Sequence, residues 1–368
     1  MKIVHTEASC GWGGQEIRIL EEARGCIDRG HQVTLLCPPE ARIFTEAQRR
    51  HVPVVALPIG RKRIGALLAL RRWLRQNPCD IVNTHSSTDS WLGAIVCRGL
   101  AAGPAVVRTR HISAPIPNNA FSGWLYNRGV AQVVTTGEAL RQTLIRQLGV
   151  PADRVTSVPT GIDPVRFAPG DKKAARAALG LAADQPTLGI VATLRSWKGH
   201  LYLLDAFAQL NLPDWQLLII GEGPMREPIL AKIAELGLVD RVRLVGQQDR
   251  PEDWLRALDI FCLPSYANEG VPQAVLQAMF TALPIVTTPV GAILEAVSDG
   301  DTALIVPPRD ASALAAAVNK LVADPGLGQA LGVAARTKAL AHFSREAMLD
   351  RMEQVFERAL HGHGAARR

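Results

Sequence analysis

The sequence predicts an α/β chain of two Rossmann-like domains, each a doubly wound parallel sheet, facing a cleft. Three observations carry this. Strand-like and helix-like patterns alternate, which implies parallel strands joined by helical crossovers. The alternation runs twice, on either side of a Pro-, Gly- and Asp-rich interruption at residues 159–173. The chain of 368 residues also exceeds one compact core, at about 150 residues per domain. The expected boundaries are 1–168 and 169–343, with 344–368 a C-terminal helix returning toward the first domain. Its polar tail, His361–Arg368, is expected to be disordered.

Lys2–His5 is a short β-rich run, followed by the turn Gly11-Trp12-Gly13-Gly14. Ile17, Leu20, Ala23 and Ile27 then recur at helical spacing, and Gly30 ends that helix. Val33–Cys37, Val54–Leu57, Asp80–Asn83, Ala105–Thr109 and Gln132–Thr135 read as the remaining strands of the first half. After the interruption come Leu188–Ala192, Gln216–Ile220, Arg241–Val245, Ile260–Leu263, Ile285–Thr287 and Ala303–Val306, with helices between them. Ligands of such sheets bind beyond the carboxyl ends of the strands. The informative loops are therefore those after Val4, Asn83, Val107, Ala192, Ile220 and Leu263.

Composition excludes several classes. The chain is 48% hydrophobic and 20% charged, ordinary globular usage. Its longest apolar stretches fall far short of the roughly 18 residues needed to span a bilayer, and Glu7 stands where a signal peptide needs an apolar run. The six cysteines form no CxxC pair. They read as small buried hydrophobes of a reducing cytoplasm, with no zinc site. Nucleic-acid binding is disfavoured, because the aromatic residues are few and scattered and offer no stacking platform.

Charge is uneven. Residues 1–170 hold 21 Lys/Arg against 12 Asp/Glu, a net +9; residues 171–368 hold 20 against 22, a net −2. Arg61-Lys62-Arg63 and Arg71-Arg72-Trp73-Leu74-Arg75 flank an apolar body. That is the pattern of a basic helix with one interfacial aromatic, suited to peripheral contact with an anionic membrane. A solvated helix packing Leu67, Leu70 and Leu74 on its own core accounts for it equally well.

Three loops carry chemistry. Gly11–Gly14 opens a helix, where amides and dipole suit a phosphate; with Glu at 16 it is not a complete GxGxxG. Gly221-Glu222-Gly223-Pro224 lacks the third glycine too, since 226 is Arg, which disfavours a nicotinamide dehydrogenase. Arg195-Ser196-Trp197-Lys198-Gly199 sets two cations three apart at the mouth of a sheet, as a diphosphate requires. Ser265–Pro272 precedes the helix Gln273–Thr281. Glu269 stands before that helix, Gln277 lies about two turns in, and the amides of Val271, Gln273 and Ala274 are available to a phosphate, Pro272 contributing none.

The run Glu269-Gly270-Val271-Pro272-Gln273-Ala274-Val275-Leu276-Gln277-Ala278-Met279, ending in Pro284-Ile285-Val286, resembles a motif of the family-4 retaining glycosyltransferases of GT-B fold. So do Lys198-Gly199, Gly221-Glu222-Gly223-Pro224, Asp259–Ser265, Gly13-Gly14, Gly30-His31 and Gly161-Ile162-Asp163. The similarity spans nearly the whole chain in order, and its nearest type is the bacterial lipopolysaccharide or exopolysaccharide enzyme.

The resemblance implies that Glu269 contacts the donor sugar and Lys198 the donor diphosphate. His111, in Arg108-Thr109-Arg110-His111, would approach the transferred sugar, with His85 a second candidate. Gly13, Gly14, Gly221, Glu222 and Gly270 would complete the donor site. Two positions depart from the family. Thr193 stands where it has arginine, so Arg195 is the expected substitute; Gln277 replaces the second motif glutamate, which binds the ribose. An amide still hydrogen-bonds hydroxyls, without charge.

The resulting expectation is a UDP-, GDP- or ADP-sugar donor, no cofactor, no metal, and a glycan or lipid-linked acceptor entering from the first domain at the cytoplasmic membrane face. A nucleotide-sugar epimerase, with Glu7 and Glu269 as its acid/base candidates, and a non-catalytic carbohydrate-binding protein remain open alternatives.

Overall fold

The computed structural model describes residues 1–111 and 115–365. It divides into two compact units. Unit 1 is Met1–Gly161 together with the C-terminal segment from Arg345; unit 2 is Ile162–Ser344.

Unit 1 holds one seven-stranded parallel sheet. Its strands are β1 (Lys2–Thr6), β2 (Gln32–Cys37), β3 (Val54–Ala56), β4 (Ile81–Thr84), β5 (Ala105–Arg110), β6 (Gln132–Thr135) and β7 (Val155–Ser157). Their order is β3-β2-β1-β4-β5-β6-β7. Chain direction across the sheet therefore reverses between β1 and β4, where such sheets place their ligands. The short strand β7 shows no pattern in the sequence; it exists because Val155 pairs with Val133.

Both faces of this sheet are buried, and alternate residues serve each face. Ile3, Leu35, Ile81, Val107 and Val134 join one core. Val4, Leu36, Val82, Val106 and Val133 join the other. The first core is closed by two helices, Gly14–Asp28 and Arg345–Ala365. The latter supplies Met348, Leu349, Met352, Val355 and Phe356. The two helices approach closely: a methyl group on Gly25 would lie 2.5 Å from Leu349 Cδ1. Arg29 then pairs with Glu346 at 2.6 Å, Asp350 at 2.8 Å and Glu353 at 3.0 Å.

The C-terminal helix corrects the sequence expectation of a disordered tail. It continues through His361, whose Nδ1 lies 2.9 Å from the Glu357 carbonyl, to Ala365; residues 366–368 lie outside the described residues. The first helix corrects another expectation. Its inward face carries Leu20 and Ala23 but also Arg18 and Glu22, all fully buried, while Ile17 and Ile27 are half-buried. Arg18 Nη1 donates to the Val158 carbonyl at 2.7 Å, and its Nε is 3.7 Å from Glu22. Asn83 donates to Glu22 at 3.0 Å and accepts from Thr109 at 2.9 Å. Charges at such depth persist only when paired, and removing one partner costs about 3–5 kcal/mol.

Unit 2 holds a six-stranded parallel sheet, β8 (Thr187–Val191), β9 (Gln216–Ile220), β10 (Val242–Gly246), β11 (Ile260–Leu263), β12 (Ile285–Thr287) and β13 (Leu304–Ile305). The order β10-β9-β8-β11-β12-β13 repeats the plan of unit 1, with its reversal between β8 and β11. One continuous core fills it.

A buried carboxyl generates a test. Glu7, just past β1, is fully buried, and burial, with the nearby Asp89 carboxylate, pushes its carboxyl up to about 8. The native state thus keeps a proton that the unfolded chain releases near 4.5. Stability from this group is complete below about 4.5 and is lost as pH rises to about 8. Glu7→Gln keeps an acceptor for the Ser9 amide and has no proton to lose. Its melting temperature relative to wild type should rise by at least about 2 °C between pH 5 and pH 8, roughly 1 kcal/mol for a unit of this size. A difference independent of pH would show that Glu7 ionises normally.

Candidate active site

In unit 2 the loops after β8 and β11 flank the reversal point and meet. Lys198 Nζ lies 2.6 Å from Glu269 Oε1, and the Ser265 hydroxyl donates to the same oxygen at 2.6 Å. Glu269 is 5% exposed at its side chain and Lys198 17%. Two glycines permit the approach. Gly199, at φ +80°, would place a Cβ 2.1 Å from the Pro264 carbonyl; Gly291, at φ +62°, would place one 2.0 Å from the Glu269 carbonyl. Any side chain there would push the loops apart. A backbone bond from Tyr266 N to the Trp197 carbonyl, 2.8 Å, ties the two loops together.

The helix Gln273–Phe280 begins directly after this pair, with Pro272 as its N-cap. The Val271 side chain belongs to the core, leaving its backbone to the site. Gly270, Gln273 and Ala274 are half-buried there, and Gln277 lies one helix turn deeper, 9% exposed. Arg195 is exposed, its guanidinium 5.8 Å from the Trp197 ring centre. Gly221 donates its amide to the Gly246 carbonyl at 2.9 Å, and the Glu222 carbonyl accepts from Leu194 at 2.9 Å. This third loop braces the one that carries Lys198, while the Glu222 carboxylate faces solvent, 3.9 Å from Arg226. Ser265 was the functional group without a sequence role; its signal is its place at the end of β11, four residues before Glu269.

A cavity lined by Lys172, Arg176, Trp215, Arg256 and Asp259 lies at the other, amino-terminal end of β11. There Lys172 and Arg176 both pair with Asp259 at 2.5 Å, so its charges are already matched within the fold.

In unit 1 the strand ends bring three histidines together. His5 lies on β1, His85 follows β4 and His111 follows β5. His5 Nδ1 is 2.9 Å from His85 Nε2, and His85 Nδ1 is 2.9 Å from His111 Nε2. Burial holds His5 down to about 4, and burial reinforced by neighbouring cationic groups holds His85 and His111 well below the usual imidazole range. Asp89 fastens this end of the sheet. It accepts from Thr6 Oγ1 at 2.7 Å, from the His85 amide at 2.8 Å and from the Ser86 amide at 2.9 Å.

Gly13 and Gly14 open the first helix, Gly13 with extended backbone. The Glu16 carboxyl turns back onto them. Burial raises its pKa, while hydrogen bonds from the Glu16 and Gly13 amides and from Ser9 lower it less. The chain's own carboxylate thus occupies the position an anion would take at this helix end. Among the described residues, no group of three or more His, Cys, Asp or Glu is arranged to hold a metal ion.

Comparison with known proteins agrees with this geometry. The family described as Glycosyl transferases group 1 matches residues 185–324, and Glycosyltransferase Family 4 matches residues 12–166. A lipopolysaccharide core biosynthesis mannosyltransferase, LpsB, of Rhizobium meliloti is 32% identical over 250 residues, covering 64% of this chain and 67% of its own. A D-inositol 3-phosphate glycosyltransferase of Nocardia farcinica is 29% identical over 379 residues, 90% of this chain and 80% of its own. The crystal structure of Anabaena Alr3699/HepE in complex with UDP superposes with a TM-score of 0.86 at 21% identity, over 97% of this chain and 100% of that one. Two parallel sheets of this order, the Lys198–Glu269 pair at the reversal of the second, and these matches make the chain a member of the family-4 glycosyltransferases, with the GT-B fold.

Proposed function

We propose that this glycosyltransferase moves a sugar from a UDP-, GDP- or ADP-sugar to a glycan or lipid-linked acceptor of the cell envelope, with retention of anomeric configuration and without a metal ion. The observation that carries the reading is the Lys198–Glu269 contact of 2.6 Å beside the N-terminus of the helix Gln273–Phe280. The donor diphosphate takes Lys198, Arg195 and the amides of Gln273 and Ala274 as partners, which stabilises the charge that grows on the leaving group. Glu269, released from the lysine, accepts hydrogen bonds from the donor sugar. Gln277 bonds the ribose hydroxyls, and His111 meets the transferred sugar. The acceptor oxygen forms its bond to the anomeric carbon on the side from which the diphosphate oxygen departs. The acceptor proton passes to that departing phosphate.

The lipopolysaccharide mannosyltransferase among the relatives supports an envelope acceptor. So does the basic segment of unit 1. Helix Ile64–Gln76 buries Ala66, Leu70 and Leu74, and Trp73 packs against the same core rather than facing out. The outward side carries Ile64 and Leu68, 76% and 61% exposed, among exposed Arg61, Lys62, Arg63, Arg71, Arg72 and Arg75. Among the described residues, no helix is long and apolar enough to cross a membrane. We place the enzyme at the cytoplasmic face of the membrane, held reversibly by these cations at about 1 kcal/mol each.

Glu269→Ala and Lys198→Ala, each confirmed folded, should lower transfer at least about tenfold, roughly 1.4 kcal/mol. Near-wild-type turnover in either removes that residue from the mechanism. Transfer should persist in excess chelator; loss restored by magnesium or manganese would reverse the assignment of diphosphate charge to Lys198 and Arg195. Sedimentation with anionic liposomes should exceed that with neutral ones and fall at high salt. Neutralising Arg61, Lys62, Arg63, Arg71 and Arg72 should abolish the difference; equal weak binding throughout would point to a soluble acceptor.

A further inference from the structure

The histidine chain has a direction. A neutral imidazole carries one N–H, so each ring in a series can donate at one nitrogen only. With His85 bonded on both sides, two proton arrangements are consistent. In one, His111 donates from Nε2 to His85, His85 donates from Nε2 to His5, and His5 carries its hydrogen on Nε2. In the other, His5 donates from Nδ1, His85 donates from Nδ1, and His111 carries its hydrogen on Nδ1.

The choice falls at the buried end. His5 is fully buried, and its Nε2 has no hydrogen-bond partner. A buried N–H without an acceptor is costlier and rarer than an unmet lone pair. His5 Nε2 is therefore bare, which fixes the other two rings in turn. The low basicity of the three rings, caused by burial, keeps all of them neutral near pH 7.

We propose that His5 and His85 are positioning residues that lock His111 as its Nδ1–H tautomer, so that His111 meets the sugar as a hydrogen-bond donor and not as a base. The proposal rests on the placement of His111 at the transferred sugar given above. It suits a reaction in which the departing phosphate takes the acceptor proton. A donor at Nδ1 is complementary to a sugar or phosphate oxygen that gains negative charge; a bare Nδ1 there would repel it.

The test is the tautomer itself, read by long-range proton–nitrogen NMR on the intact protein labelled in its histidine rings. The signals are assigned with His5→Gln, His85→Asn and His111→Gln. Expected is a protonated Nδ1 and a bare Nε2 at His111 and at His85; a proton on His111 Nε2 overturns the proposal. The spectrum needs neither donor nor acceptor, so a wrong tautomer fails this inference alone. Failure of every sugar nucleotide to react would instead fail the function proposed above. In kinetics, His85→Ala should lower kcat at least about tenfold with KM within about threefold. His85→Asn, whose amide nitrogen can replace the Nδ1 donor, should recover most of that loss. Equal activity of wild type and both variants, or equal loss in both with wild-type folding, would show that His85 does not act through His111.

Discussion

The site depends on one contact, the 2.6 Å approach of Lys198 to Glu269 at low exposure. Neither residue lies on a regular strand or α-helix; each is delivered by a loop, and loops stay this close only where backbone can touch backbone. Gly199 against Pro264 and Gly291 against Glu269 supply that freedom. The paired charges hold each other in place, so in the proposed reaction the lysine is already oriented for a diphosphate. In the proposed reaction a phosphate takes over as the lysine's partner, and the sugar takes the carboxylate. The same arithmetic explains why so little near this pair is adjustable. Ser265 is committed to Glu269, and the Gly221 amide is committed to Gly246.

Much of this was legible in the sequence because parallel sheets write themselves plainly. Strands buried on both faces read as apolar runs, and the loops after β8 and β11 could be located from them. Glu269, Lys198 and Gln277 stand at recognisable spacings in one segment or another. What stayed hidden depends on neighbours across the sheet. His5, His85 and His111 are far apart in the chain, and only the order β1-β4-β5 makes them adjacent. Arg18 and Glu22 break the apolar stripe of their helix because Asn83 and the Val158 carbonyl answer them from strands and loops that periodicity cannot see. Strand β7, Val155–Ser157, has a single apolar residue and so carries no apolar run. Glu16 read simply as the residue that spoils a glycine fingerprint, whereas it folds back onto the amides that fingerprint would have offered.

Unit 1 is assembled from both ends of the chain, and this has a consequence for how the protein is made. The helix Arg345–Ala365, with Met352, Val355 and Phe356, covers the β4-β5-β6 part of one face of a sheet whose strands are all complete by Ser157. A ribosome adding about 5–20 residues per second needs on the order of ten to forty seconds to pass from the last of those strands to that helix. Throughout that interval Ile81, Val107 and Val134 lack that cover, and unit 2 receives its last residue, Ser344, just before the helix begins. Vectorial synthesis therefore reverses the usual order. The second unit matures first, and the nascent first unit is the stage at which a chaperone has apolar surface to hold.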